Sequence, residues 1–225
     1  MIEEILPATV VAVDTRAELL EVELFPQEQA ALGNAVEKRR REFVTARACA
    51  REALLRLGLP PGPIGTGEQG EPLWPEGVVG SITHCVGYRA CAVARAEDVL
   101  GVGIDAEPHQ PLPEGVLGQI AGAEERRRLA ELARDQPAVS WDRLLFCAKE
   151  AVYKVWFPLA RCWLGFEDAR LRFDLGGTFQ AQLLKPWPDE NVGFAAAHRQ
   201  PAVLQGRWVA RDGFALAAIT ISHSR

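Results

Sequence analysis

Two short segments hold the residue types from which chemistry can be built. Gly101-Val-Gly-Ile-Asp-Ala-Glu107 reads as an apolar strand ending in two acids, and Phe146-Cys-Ala-Lys-Glu-Ala-Val-Tyr-Lys154 reads as a helix. Residues two apart share a strand face, so Asp105 and Glu107 project together while Val102 and Ile104 face the other way. Glu150 and Lys154, four apart, share a helix face. Three carboxylates and two lysines, Lys149 and Lys154, inside otherwise apolar elements are costly to bury unless paired or holding a metal. Mg²⁺ usually takes one or two carboxylates plus substrate phosphate, and Asp105, Glu107 and Glu150 supply such a set if the helix packs against the strand end. A metal bridging a diphosphate there would favour departure of a phosphate-linked leaving group. Lys154 is close enough to Glu150 to orient it or to protonate that leaving group, Lys149 adds positive charge, and His84 at a turn can donate to phosphate. The plainer reading is a surface helix pair and a strand that simply ends in water. Phe146, Trp156 and Phe157 around the helix pair argue against it.

These residues need elements to position them. Residues 8–14 and 19–25 look like strands, and 35–57 carries a helical pattern stopped by Gly58 and Pro60. Residues 59–77 form a Gly/Pro-rich loop. Val78–Thr83 and Tyr88–Arg95 read as a hairpin around His84-Cys-Val-Gly87, followed by the strand at 99–105. The stretch 108–117 reads as a joint between halves, residues 1–110 and 111–225. Helices follow near 123–134 and 140–157, then antiparallel strands at 169–175, 178–184, 192–197, 206–210 and 214–221. Helices mixed with antiparallel strands, without a βαβ rhythm, predict an α+β fold in two lobes.

The composition, 48% apolar and 24% charged, is that of an ordinary globular chain and argues against disorder. The acidic start lacks the basic, apolar pattern of a signal peptide, and no apolar run is long enough to span a membrane. Five cysteines without a C-x-x-C pair read as free thiols in a reducing compartment, which predicts a cytoplasmic protein. A net charge of −5 disfavours nucleic acid as a partner. Between Glu37 and Arg56, however, seven basic residues against three acids leave +4, and so −9 elsewhere. A basic patch beside a carboxylate site suits a small polyanion.

Several motifs are decoys. Gly65-Thr-Gly-Glu-Gln-Gly70 matches a dinucleotide fingerprint, but Pro60, Pro61 and Pro63 precede it and Pro72 and Pro75 break any following helix. His84, Cys85 and Cys91 fit no common zinc spacing. Ser81 lacks the second glycine of a nucleophile elbow. Arg126–Arg128 reads as a solvated helix face. Trp156 and Trp163 read as core.

At its two key segments the chain resembles the 4′-phosphopantetheinyl transferases of the Sfp type, nearest the PptT-like branch of actinobacteria. The (V/I)G-(I/V)-D-x-E and F-x-x-K-E-x-x-x-K signatures are met by Val102–Glu107 and Phe146–Lys154. The likeness extends through Lys38–Arg47, Gly70–Pro75, Gly80–Cys85, Trp141–Arg143 and Trp163–Asp168. The resemblance implies two similar lobes, each an antiparallel sheet packed with helices, with the ligand in the cleft between them. It implies transfer of phosphopantetheine from coenzyme A, the co-substrate, to a serine of apo acyl or peptidyl carrier proteins of fatty-acid, polyketide or nonribosomal-peptide synthesis. The other product is 3′,5′-ADP. Asp105, Glu107 and Glu150 would hold Mg²⁺, with Mn²⁺ a substitute; Glu150, directly or through a metal-bound water, would take the serine proton, and Lys154 would assist the leaving phosphate. His84, Arg39 and Arg47 would hold the 3′-phosphate, Lys149 would contact phosphate nearby, and Thr83, Glu71 and Pro72 would border the nucleotide. Thr66 and Gln69 stand where relatives can carry lysines. The enzyme would act as a monomer. Two rivals keep the site but change the function: a metal-dependent hydrolase of nucleotide diphosphates, and a non-catalytic module binding coenzyme A or a carrier.

Overall fold

A computed structural model describes residues 1–19, 21–188 and 201–223. Its strands form two main antiparallel sheets. Strands β1 (Val11–Thr15), β5 (Tyr88–Arg95) and β4 (Val78–Cys85) make the first, in the order β1-β5-β4. The second runs β6 (Val99–Pro108), β10 (Phe214–Ser222), β9 (Val203–Arg211), β8 (Thr178–Leu183), β7 (Ala169–Phe173). Two-residue strands β2 (Gly65–Thr66) and β3 (Pro72–Leu73) pair inside the glycine-rich loop. A 20-residue helix packs on each main sheet: α2 (Glu37–Arg56) on the first and α5 (Trp141–Ala160) on the second. The expected α+β architecture is therefore present.

The chemistry of the glycines sets the central packing. Gly101 and Gly103 face α5; a Cβ on Gly103 would lie 2.2 Å from the Ala151 carbonyl oxygen and 2.8 Å from the Val155 nitrogen. Their lack of side chains lets helix backbone approach strand backbone, and the odd-numbered face then carries Asp105 and Glu107 toward the same helix. Val102, Ile104 and Ala106 fill the opposite core with Tyr88 and Leu216. In α5, Leu144, Leu145, Ala148, Ala151, Val152, Val155 and Trp156 form the buried stripe.

The sheets meet where β4 runs beside β6. No backbone ladder joins these strands; the Ile104 N–H donates to Ser81 Oγ at 3.1 Å, and the Ala106 N–H donates to Thr83 Oγ1 at 3.1 Å.

Several sequence expectations change. The sheets part at residues 96–98, because β6 pairs with β10, so the strand on the N-terminal side of the 110/111 division belongs to the second sheet. Residues 21–25 form no strand; their polar groups bind side chains, as when Arg51 donates to the Glu23 carbonyl at 2.7 Å. Helices α1 (Pro26–Leu32) and α3 (Val116–Ile120) were not foreseen; α4 (Ala123–Asp135) was. Trp156 is fully buried, but Trp163 is 66% exposed, its ring lying 5.1 Å from that of Tyr153. The strand expected at 192–197 lies outside the described residues.

Candidate active site

The strand end and the helix meet at Asp105. It is 5% exposed, and its Oδ1 accepts from Lys154 Nζ at 2.6 Å and from the Thr83 hydroxyl at 3.0 Å. Its Oδ2 is buried with no hydrogen-bond partner. The lysine four residues after Glu150 thus reaches across to the strand, and the Glu150 carboxylate makes no hydrogen bond or ion pair with any described residue. Glu107 is held by Arg143, whose Nη1 donates to Oε2 at 2.9 Å while Nε and Nη2 donate to the Gln110 and Pro111 carbonyls.

The charges respond to this crowding. Burial raises the pKa of Glu150, and the neighbouring Asp105 charge raises it further, against the pull of Lys154. Burial and Asp105 likewise raise Glu107, opposed by Arg143. Burial lowers Lys154, but Asp105 and then Glu150 outweigh it and hold its pKa above the usual lysine value. Mutually repelling acids around an unpartnered, buried carboxylate oxygen suit an added divalent cation. Among the described residues, no three His, Cys, Asp or Glu side chains are already gathered as a metal cage. The engagement of Glu107 by Arg143 and of Asp105 by Lys154 accounts for this. Asp105 Oδ2, Glu107 Oε1 and the Glu150 carboxylate are the oxygens left available for such an ion.

A cavity of about 310 Å³ opens on the Lys154 side, bordered by Arg39, Arg47, Thr66, Pro72, Thr83 and His84. Of the three consecutive arginines, Arg39 faces it; Arg41 is engaged by Glu37 and Glu18. Arg39 Nη1 lies 2.7 Å from His84 Nε2, so that nitrogen accepts and does not donate. Burial, then the Arg39 charge, lowers the His84 pKa. His84 sits in β4, since the tight turn itself is Val86–Gly87. Glu71, ion-paired with Arg161 at 3.0 Å, borders a separate cavity of about 400 Å³ that shares Pro72 with this one. On the Glu150 side, a further cavity of about 150 Å³ is bordered by Tyr153, Trp163, Leu164 and Phe166.

Lys149 borders the cavity on the Glu150 side, with its ammonium group turned to protein partners. Its Nζ donates to Glu125 at 3.2 Å and to the Phe166 and Ala169 carbonyls at 2.6 and 2.9 Å, which uses all three protons on a buried side chain. One position along a helix turns a side chain by about 100°, so Lys149 points to α4 when Glu150 points to the cleft. Arg143 and Tyr153 enter the site without having been singled out, Thr66 had been noted only as a departure from relatives, and Trp163 had been read as core. Arg143 sits in a quoted motif, yet nothing in its spacing shows that it meets Glu107.

Two acids on a strand end and a third on the helix packed against it, with a cationic cavity near Lys154 and a largely apolar one near Glu150, suit a phosphate-bearing ligand with one polyanionic and one less polar end. Comparison with known proteins gives the chain its family. Residues 27–94 match the model of the 4′-phosphopantetheinyl transferase N-terminal domain, and residues 101–217 match that of the 4′-phosphopantetheinyl transferase superfamily. The chain is 51% identical over 200 residues to the 4′-phosphopantetheinyl transferase Svp of Streptomyces mobaraensis, covering 88% of this chain and 79% of that one. It is 48% identical to Npt of Nocardia iowensis over 97% and 99% of the two chains, and 45% identical to PptT of Mycobacterium tuberculosis over 98% of each. The chain belongs to the 4′-phosphopantetheinyl transferase superfamily. It is an enzyme that moves phosphopantetheine from coenzyme A to carrier proteins. The hydrolase and binding-module readings find no support in these likenesses. The described residues include no helix long and apolar enough to cross a membrane.

Proposed function

We propose that this site runs the transfer with Asp105, Glu107 and Glu150 as the acids that hold Mg²⁺ or Mn²⁺ on the coenzyme A diphosphate. The observation that carries the reading is Asp105 Oδ2, buried and unpartnered, on a carboxylate that interacts with Lys154 at the border of one cavity and Glu150 at the border of the other. When bound, the metal supplies charge neutralisation on the phosphate oxygens. Arg39, Arg47 and His84 bind the 3′-phosphate in the cationic cavity, with Thr83, Glu71 and Pro72 bordering the nucleotide. Tyr153, Trp163 and Phe166 line the place for the uncharged pantetheine arm, because that cavity adjoins Glu150 and is largely apolar. The carrier serine oxygen attacks the phosphorus bearing pantetheine, the bond to the bridging oxygen breaks, and 3′,5′-ADP departs. Glu150 takes the serine proton; its raised pKa and lack of hydrogen-bond partners suit a base. Lys154 neutralises the leaving phosphate from its position against Asp105. The four buried cysteines and half-buried Cys162, all free thiols, suit a reducing cytoplasm, and we take the enzyme to act as a monomer there.

Mass spectrometry of apo carriers incubated with enzyme, coenzyme A and Mg²⁺ tests this. Each modified carrier gains one phosphopantetheine, and Asp105→Ala and Glu150→Ala abolish the gain while the variants stay folded. Turnover retained in either variant would refute the assignment.

A further inference from the structure

A fully buried acid, Glu28 in α1, stands behind the cationic cavity with no part in the chemistry described so far. It is 0% exposed. Its Oε2 accepts from the Phe25 N–H at 3.0 Å and from Arg51 Nη2, and its Oε1 accepts from the Ile64 N–H at 3.1 Å. Arg47 Nε lies 3.9 Å from the same Oε1. Arg47 is itself only 5% exposed; its guanidinium carbon sits 4.3 Å from the Phe43 ring centre, and Nη2 donates to Thr66 Oγ1 at 3.1 Å. Its Nε is enclosed with no hydrogen-bond partner.

A buried guanidinium, that of Arg47, and a partly buried one, that of Arg51, therefore share one carboxylate, which leaves one positive charge uncompensated. A buried arginine without a counter-charge would swing toward solvent, because burying an ion unpaired costs several kcal/mol. Glu28 removes that incentive from the rear, Phe43 and Thr66 fix the plane from the sides, and the remaining face of Arg47 opens on the cavity with Arg39 and His84. By also binding the Ile64 N–H, Glu28 anchors the chain leading to Thr66, so one carboxylate sets both Arg47 and its partner. A fixed guanidinium recognises a phosphate in two-point geometry, whereas a mobile one offers only charge.

We propose that Glu28 is a positioning residue for Arg47 and thereby sets the enzyme's selectivity for coenzyme A over the same molecule lacking its 3′-phosphate. This rests on the reading of that cavity as the 3′-phosphate site. The test compares kcat/KM for coenzyme A with that for 3′-dephospho-coenzyme A in wild type and Glu28→Gln, alongside calorimetric binding of 3′,5′-ADP and 5′-ADP. The wild type prefers the phosphorylated form of each pair, and Glu28→Gln lowers both ratios about tenfold, the scale of a lost charge-assisted hydrogen bond. Equal losses for both members of a pair would mean a purely structural role and overturn the proposal, as would unchanged or increased ratios. If Glu28→Gln does not fold, Thr66→Val, at an exposed loop position, removes the other Arg47 contact and lowers the same ratios; unchanged ratios there overturn it equally. A wild type that ignores the 3′-phosphate would instead refute the phosphate reading of the cavity.

Discussion

Replacing Gly103 with alanine tests whether close approach of α5 to β6 assembles the site. The new Cβ would stand 2.2 Å from the Ala151 carbonyl oxygen, and ordinary contact begins near 3.4 Å. The shortfall is about 1.2 Å, and the three atoms in the way are two of helix backbone and the Val155 Cβ fixed to it, so no rotamer change relieves it. β6 cannot sink, since it is laddered to β10 and bound to Ser81 and Thr83. The helix must lift. Glu150 and Lys154 each immediately precede a residue whose backbone is struck, so the 2.6 Å contact between Lys154 and Asp105 opens past hydrogen-bonding reach. Overpacking costs about 1–3 kcal/mol. Reduced freedom of the unfolded chain returns roughly 0.4–1 kcal/mol. The steric term wins, and at about 2–4 °C per kcal/mol for a chain this size, Tm falls by roughly 5 °C. A misplacement near 1 Å lowers kcat/KM about 10²-fold. Gly101→Ala is the control: its Cβ would meet only Val155 and Leu159 side-chain atoms, at 3.1 and 3.2 Å, which can yield. Thermal melts and carrier-loading rates measure both variants. A Gly103→Ala enzyme that melts within 2 °C of wild type (~0.5–1 kcal/mol) and loads carriers at full rate would refute the argument.

Other expectations follow from the same charges. Lys154→Met leaves Asp105 charged and buried with Thr83 alone, costing about 3–5 kcal/mol; adding Asp105→Asn recovers much of that loss in a double-mutant cycle, and strict additivity would contradict a direct pair. Glu150→Gln abolishes transfer yet raises Tm near pH 8. Burial and Asp105 raise the Glu150 pKa, so the folded state binds a proton more readily than the unfolded chain and loses stability as pH rises through the folded value. The gain in Tm disappears toward the ordinary glutamate range near pH 4, where wild type is protonated too; a pH-independent gain would point to packing instead. Arg143→Gln frees Glu107 from its cation and tightens Mn²⁺ binding without coenzyme A by about tenfold or more, read by paramagnetic resonance. Unchanged affinity would mean Glu107 takes no part in holding the metal.

Much of the site was legible because strand and helix periodicities are local. The alternation in 101–107 put Asp105 and Glu107 on one face, and the structure turns that face to α5. The spacing of Glu150 and Lys154 placed them on one helix, but tertiary contact decided that Lys154 pairs with Asp105. The partners of Lys149 were not legible, because an apolar helix can bury a lysine tail against carbonyls and only the fold shows those carbonyls to be Phe166 and Ala169. Trp163 read as core from its apolar neighbours, yet it follows the end of α5 and lies outside the packed stripe. Helix α1 left a faint trace, Pro26 at its first position and Glu28 returning to the Phe25 N–H, directly after the segment 19–25 whose alternation suggested a strand. That Glu28 would be buried among arginines from α2 depends on contacts between residues about twenty apart, which periodicity does not encode.

The junction of β4 and β6 has a mechanical consequence. A backbone ladder would lock the two sheets rigidly, and parting them would unravel a strand. Here the bond is made by two hydroxyl groups on rotatable stems, each net contact worth on the order of 1 kcal/mol. The seam is therefore a side-chain joint: those two bonds and a shared apolar core that includes Tyr88, Ile104 and Leu216 hold the sheets together while each keeps its own ladders. Thr83 ties that joint to the site, because the hydroxyl that takes the Ala106 N–H also gives its proton to Asp105. The union of the sheets and the setting of the carboxylate thus depend on one hydroxyl group.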